Sequence, residues 1–136
     1  LGLEKYVFFH GSKIGNELDE IFDYCHLGIG SLANHRKGLN RDSALKNREY
    51  CGRGIPFVIA SDDDDFPNEF EYILRVEKND NPISIEEVIS YLSYLDNDDV
   101  SSEMRLFAEE NLTWDVKLYP VIVELKNKGV KSNGSN

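Results

Sequence analysis

Two cysteines in 136 residues, Cys25 and Cys51, are too few for a disulfide framework, and neither has a Cys or His partner at metal-binding spacing. Each reads as a small buried apolar side chain in a protein of a reducing compartment, the cytoplasm. No apolar run approaches the roughly 20 residues of a membrane span, and no secretory leader opens the chain. Several chemical signatures are missing too. There is no Gly-x-Ser-x-Gly, no P-loop lysine motif and no Gly-x-Gly-x-x-Gly; Gly28-Ile29-Gly30 lacks the third glycine and the following helix. Positive charge is in short supply, with a formal net charge of −10. That argues against nucleic acid as a partner, because a duplex binder needs a broad basic face. The chain also lacks an initiator Met and enters an apolar run at once, as a chain cut from a larger protein would.

What is present is ordinary globular composition, 40% hydrophobic and 29% charged, in a length that supports one real core. Tyr6-Val7-Phe8-Phe9-His10 is a continuous apolar run ending at Gly11, the pattern of a strand covered on both faces. Leu18, Ile21, Phe22 and Cys25 then recur at helical spacing behind acidic Glu17, Asp19 and Glu20. The pattern predicts parallel strands near 5–10, 27–31, 56–60 and 72–76. Helices are expected near 16–25, 43–52, 85–95 and 102–111, with one more from 114. Ser84-Ile85-Glu86-Glu87 is a capping box, Asp96-Asn97-Asp98-Asp99 breaks the helix after it, and Thr113 caps the last helix. Pro120 lies inside that last stripe, where a kink or restart is expected. Strands alternating with helices give an α/β fold, a Rossmann-like parallel sheet with flanking helices. Residues 1–126 form the domain, and 127–136, rich in Gly, Ser, Asn and Lys, form a disordered tail.

Against its acidic background the chain carries one basic island. From His35 to Arg53 there are six cations (Arg36, Lys37, Arg41, Lys46, Arg48, Arg53) and two carboxylates (Asp42, Glu49), a net charge of +4, which leaves −14 for the remainder. Such clustering points to an anionic ligand. The loops after Gly11, Ser31 and Ala60 leave the carboxyl ends of the predicted strands, the edge along which open α/β sheets bind ligands. Arg36, Lys37 and Lys46 fall there. With Ser43 as helix cap, Lys46 lies in the first turn and Glu49 one turn deeper on the same face. A diphosphate can rest on the backbone N–H groups of Ala44 and Leu45 and on Lys46, leaving Glu49 to accept bonds from a sugar's hydroxyls. The plainer alternatives are a solvated basic helix with scattered ion pairs, or an i,i+3 pair between Lys46 and Glu49.

Other candidates carry less. Asp62-Asp63-Asp64-Asp65 invites a hard cation, but an EF-hand loop alternates its ligands around a central Gly, and here Phe66-Pro67 follows directly. A solvated acidic loop is the expectation, with no metal and no cofactor. His10 stands at a predicted strand end, as a site residue or as a turn residue. His26 and His35 have no ligand-spaced partners.

The order Val-Phe-Phe-His-Gly, an amphipathic helix, Leu-Gly-Ile-Gly-Ser-Leu, His-Arg-Lys-Gly-Leu, Ser-Ala-Leu-Lys-Asn-Arg-Glu-Tyr and Gly-Ile-Pro-Phe-Val-Ile resembles the C-terminal, nucleotide-sugar-binding lobe of GT-B glycosyltransferases. The likeness is to the group that builds bacterial surface polysaccharides. It runs from Val7 to Ile59 and continues more loosely to the Trp114 helix. By position it implies that Glu49 holds the nucleotide ribose. Lys46 and the helix start at Ser43, Ala44 and Leu45 would cradle the diphosphate. His10, Gly11, Ser12, Lys13 and Ile14 would form the loop at the nucleobase edge, and Arg36 and Lys37 would face the donor sugar and diphosphate.

Arg41 stands where many retaining members carry a second glutamate, so no catalytic base is assigned. The lobe's first two strand–helix units and the acceptor lobe are not in this chain. The resemblance therefore implies an incomplete lobe, silent by itself, that binds a nucleotide diphospho-sugar donor. A glycan or lipid-linked acceptor would be held by the missing N-terminal lobe, and the parent would be cytoplasmic or peripheral at the inner membrane face. Unpaired strand edges favour self-association, with Tyr6–His10 or Leu27–Ser31 as the edge strands. The rival is a non-catalytic α/β binding or regulatory domain of receiver type. That topology needs acidic residues where this chain has His10-Gly11 and Gly30-Ser31.

Overall fold

The computed structural model describes residues 2–95 and 99–130. Three parallel strands, β1 (Gly28–Ile29), β2 (Phe57–Ile59) and β3 (Ile73–Arg75), form an open sheet in the order β1–β2–β3. Gly28 pairs with Phe57 and Ile29 with Val58, while Phe57, Val58 and Ile59 pair with Ile73, Leu74 and Arg75. Helix α1 (Asn16–Phe22) precedes β1. A 3-10 turn (Asn34–Lys37) and α2 (Leu45–Arg53) cross over to β2. After β3 come α3 (Ile85–Tyr94), α4 (Val100–Asn111) and α5 (Trp114–Val130). The mixed α/β class and the parallel pairing are those that the alternating pattern predicts.

β2 is central because its sequence permits nothing else: Phe57, Val58 and Ile59 are all buried, as a strand covered on both faces requires. The glycines in and just after β1 have a tertiary reason. A methyl at Gly28 would lie 2.6 Å from Tyr50 Cδ2, and one at Gly30 would lie 2.5 Å from Ile59 Cγ2 and 2.8 Å from Asn47 Oδ1. Both positions are bare so that α2 can lie on the strand. The Tyr50 hydroxyl then donates to the Ile29 carbonyl at 3.2 Å.

The core joins Phe57, Ile59 and Cys51 to Met104, beside a chain of rings in which Phe57–Phe66 centroids are 5.4 Å apart and Phe70–Phe107 4.4 Å. Helices α2 and α4 approach closely at Gly54, which ends α2 in the left-handed conformation (φ 73) and leaves no room for a side chain against Ser101. There Ser101 Oγ donates to the Gly54 carbonyl at 2.8 Å, and Arg105 donates to that of Arg53 at 3.0 Å. These bonds close carbonyls that the end of α2 leaves open.

Several expectations need correction. Tyr6–His10 is not a strand: residues 4–6 form a turn, no strand among the described residues pairs with residues 7–10, and Phe8 and Phe9 are 69% and 95% exposed. The run has the composition of a buried strand without a neighbour to pair with. Cys51 is buried as expected, but Cys25 lies beyond the end of α1 and is exposed. α5 runs unbroken through Pro120 and continues to Val130, so residues 127–130 are helical; 131–136 lie outside the described residues, as do Asp96, Asn97 and Asp98. All described side chains of α5, residues 114–128, are exposed, Trp114 at 72%. Ser84 caps α3 by accepting from the Glu87 N–H at 3.1 Å, but its own proton goes to Glu86. No helix among the described residues is long and apolar enough to cross a membrane.

Candidate functional site

The carboxyl edge of the sheet is built by backbone bonds that extend the β1–β2 pairing. Ala60 N–H donates to the Ser31 carbonyl at 3.1 Å, Asp62 N–H to Asn40 at 3.0 Å, and Asp42 N–H to Asp62 at 2.8 Å. The segment entering α2 is thereby fixed beside the segment leaving β2. Asp42 accepts from Asn34 Nδ2 at 2.8 Å. Its carboxyl is held below the usual range first by the Ser31 hydroxyl, then by Asn34, with the Lys46 charge adding to the same effect. Ser31, Asp42 and Lys46 therefore share one neighbourhood.

The basic island is largely answered from within the chain. Arg36 pairs with Asp80 at 2.6 Å, Arg41 with Asp64 at 3.1 Å, Arg48 with Asp65, and Arg53 with Asp19 at 2.8 Å and Glu49 at 3.1 Å. Charge counted along a sequence window misses Asp19, Asp64, Asp65 and Asp80, which the fold brings in from elsewhere. Lys37 and Lys46 are the two cations of the island with no ion pair or hydrogen bond among the described residues. Both are exposed.

Ser43 does not cap α2. Ala44 occupies that position and no side chain caps the helix, so its first-turn N–H groups receive nothing from a side chain. The Ser43 hydroxyl instead donates to Asp65 at 3.0 Å. Leu45 opens α2 and is exposed, and Lys46 follows in the first turn.

Asn47, fully buried, donates to Asp63 at 3.0 Å. Burial pushes the Asp63 carboxyl up, partly offset by Asn47 and by the Asp65 N–H. For Asp65 burial acts the same way, but hydrogen bonds from Lys117, Arg48 and Ser43 outweigh it and hold the carboxyl low. Asn47, Asp63 and Asp65 escape a reading based on local spacing. The available signal was four aspartates directly after a buried strand, opposite a basic helix. All four are engaged, Asp62 by Lys78 at 2.8 Å, and among the described residues no group of three or more potential ligands is placed to hold a metal ion.

The remaining predicted residues fall apart spatially. Glu49 does not pair with Lys46; its Oε1 accepts from Arg53, and its Oε2 has no partner among the described residues. Arg36 and Lys37 lie on the 3-10 turn, the first held by Asp80. His10, Gly11, Ser12, Lys13 and Ile14 do not leave the end of a strand, because none forms there. Gly11 turns the chain with φ 71, Lys13 pairs with Glu17 at 3.2 Å, and His10 and Lys13 border a groove against Ile21 and Tyr24 of the α1 side. No hydrogen bond or ion pair joins this loop to Ser43, Lys46 or Glu49.

Comparison with known proteins finds no family, no curated relative and no solved structure that matches the chain.

Proposed function

We propose that this chain is the donor-binding part of a GT-B-type glycosyltransferase and takes a nucleotide diphospho-sugar at the carboxyl edge of its sheet. The observation that carries the reading is Lys46. In an island whose four arginines are all matched by carboxylates, it stands in the first turn of α2, exposed and without an ion pair among the described residues. The helix start beside it has no side-chain cap, so N–H groups and a cation face the same edge. A diphosphate there is stabilised by the helix dipole and Lys46, an electrostatic role in the departure of the nucleotide. Glu49 lies one turn further along α2, with one oxygen open to ribose hydroxyls.

The sheet itself supports the reading at the level of architecture, since ligands of open parallel sheets collect at this edge. No catalytic base is assigned: Arg41, at the position where many retaining members carry a glutamate, is paired with Asp64. In this reading the chain contributes donor binding, and the acceptor site is not assigned to it.

Calorimetric titration of uridine and guanosine diphosphate into the wild type, Lys46→Ala and Glu49→Ala tests the assignment. Each substitution is expected to weaken binding by about 1.5–3 kcal/mol, the value of one charge-assisted contact. Equal affinity of all three proteins would remove both roles.

A further inference from the structure

The start of α2 already has an anion beside it, and that anion belongs to the chain. Asp65 Oδ2 accepts from Ser43 Oγ at 3.0 Å and from Arg48 Nε at 2.7 Å, and its Oδ1 accepts from Lys117 Nζ at 2.6 Å. Two cations and a hydroxyl converging on adjacent oxygens is the donor set that a phosphate group recruits. The Asp65 side chain is only 12% exposed, so it fills this set rather than brushing past it. A second feature is independent of those bonds. Asn47 Oδ1, on α2, and Ser61 Oγ, just after β2, are buried and find no hydrogen-bond partner among the described residues. Unpaired buried polar atoms mark an arrangement that is not the best available to this loop.

We propose that Asp65 is an internal anion that holds Ser43, Arg48 and Lys117 until a diphosphate displaces it, and that α5 is released at the same time. The proposal rests on the diphosphate reading of the α2 start. Competition follows from charge: a diphosphate carries more negative charge than one carboxylate, and contacts at hydrogen-bond distance lie well inside a Debye length of about 8 Å. Release follows from position. Lys117 belongs to α5, whose other described side chains are exposed, so its bond to Asp65 is, among the described residues, the ion pair that ties the helix to the strand edge. Trp114, the single tryptophan of the chain, borders a groove with Leu45, Arg48, Leu112 and Lys117. Its emission therefore reports whether this corner is closed.

The test titrates inorganic pyrophosphate, followed by calorimetry and by Trp114 fluorescence, into wild type, Asp65→Asn, Lys46→Ala, Lys117→Gln and a charge control, Glu124→Gln. Glu124 pairs with Lys128 on the exposed part of α5 and touches none of the donors. Asp65→Asn is expected to bind pyrophosphate about five- to tenfold more tightly than wild type, the scale of one partly buried charge-assisted contact. Glu124→Gln should stay close to wild type. The unliganded emission of Asp65→Asn should match that of pyrophosphate-bound wild type. An affinity for Asp65→Asn no greater than that of Glu124→Gln overturns the proposal. If Lys46→Ala weakens binding while Asp65→Asn leaves it unchanged, the diphosphate reading stands and the internal anion is wrong. Absence of pyrophosphate binding in every protein removes both. Should Asp65→Asn fail to fold by circular dichroism, Lys117→Gln carries the test from a surface position. Its unliganded emission should already resemble the bound wild type, and an emission identical to that of free wild type overturns the coupling.

Discussion

Replacing Gly30 by Ala places a methyl where the fold has none to spare. The new carbon would sit 2.5 Å from Ile59 Cγ2, 2.8 Å from Asn47 Oδ1 and 3.0 Å from the Val58 carbonyl oxygen. Ordinary carbon contacts need about 3.5–4.0 Å, so each neighbour must retreat by about 1 Å or β1 must part from β2. Overpacking of this kind costs about 1–3 kcal/mol. Asn47 can move only by loosening its buried bond to Asp63, which adds about 1–3 kcal/mol. The gain from a stiffer unfolded chain returns only about 0.4–1 kcal/mol. The net expectation is a loss of about 2–4 kcal/mol, read as a urea midpoint lowered by about 1–2 M for an ordinary m-value. Gly52→Ala supplies the opposite sign. Nothing lies within 4 Å of the added carbon, and the residue sits inside α2, where Ala is favoured over Gly by about 1 kcal/mol. Urea titrations of both variants by circular dichroism decide the matter. A Gly30→Ala protein within 0.5 kcal/mol (roughly the limit of such comparisons) of wild type would show that α2 does not lie on β1 as described, and a Gly52→Ala protein less stable than wild type would show that the space around Gly52 is not open.

Acid stability should carry the signature of the aspartate loop. The Asp65 carboxyl is held low in the fold, so its contribution is complete above the unfolded value of about 3.9 and is lost as pH falls towards the lower folded value. Asp65→Asn should flatten the fall in urea midpoint below about pH 4, and an unchanged slope would refute the pairing. Asp63 acts with the opposite sign: its carboxyl is raised by burial, so the cost of ionising it disappears as pH drops, and Asp63→Asn should gain most at neutral pH. The two thiols should also separate. Cys25 is exposed, whereas Cys51 is buried against Met104 with its thiol pushed up to about 12. An aromatic disulfide reagent should titrate one thiol in the native protein and both in denaturant; two in the native state would contradict the burial of Cys51.

How far the sequence could be read depended on whether the cause was local. Phe57-Val58-Ile59 is apolar on both faces and became the central strand, and the helical stripes of α2 to α4 lie near their expected positions. Tyr6–His10 has the same apolar texture and formed no strand, because texture reports a wish for burial and cannot supply a partner. Gly28 and Gly30, in and just after β1, are what lets Tyr50, Asn47 and Ile59 lie against it. That reason lies up to 29 residues away in the chain. Ser43 fitted the cap position until its hydroxyl went to Asp65, 22 residues on. The basic island failed in the same way: a local count of charge omits the carboxylates that return to meet it. Lys46 lies in the first helical turn as expected, and the alternative of an ion pair with Glu49 is not formed.

α5 gives the molecule an uneven resistance to local opening. A 17-residue helix whose described side chains, residues 114–128, are all exposed is close to balance with its unfolded form in water, and Pro120 withholds one ladder bond from it. The amides of α5 can thus exchange with solvent by fraying this helix alone. Those of α2 and β2 wait for Phe57, Ile59 and Cys51 to separate from Met104, an event that takes the whole core with it. Thr113 is the seam between the two regimes. A cut by a protease just beyond that residue leaves a fragment that still contains all three strands of the sheet.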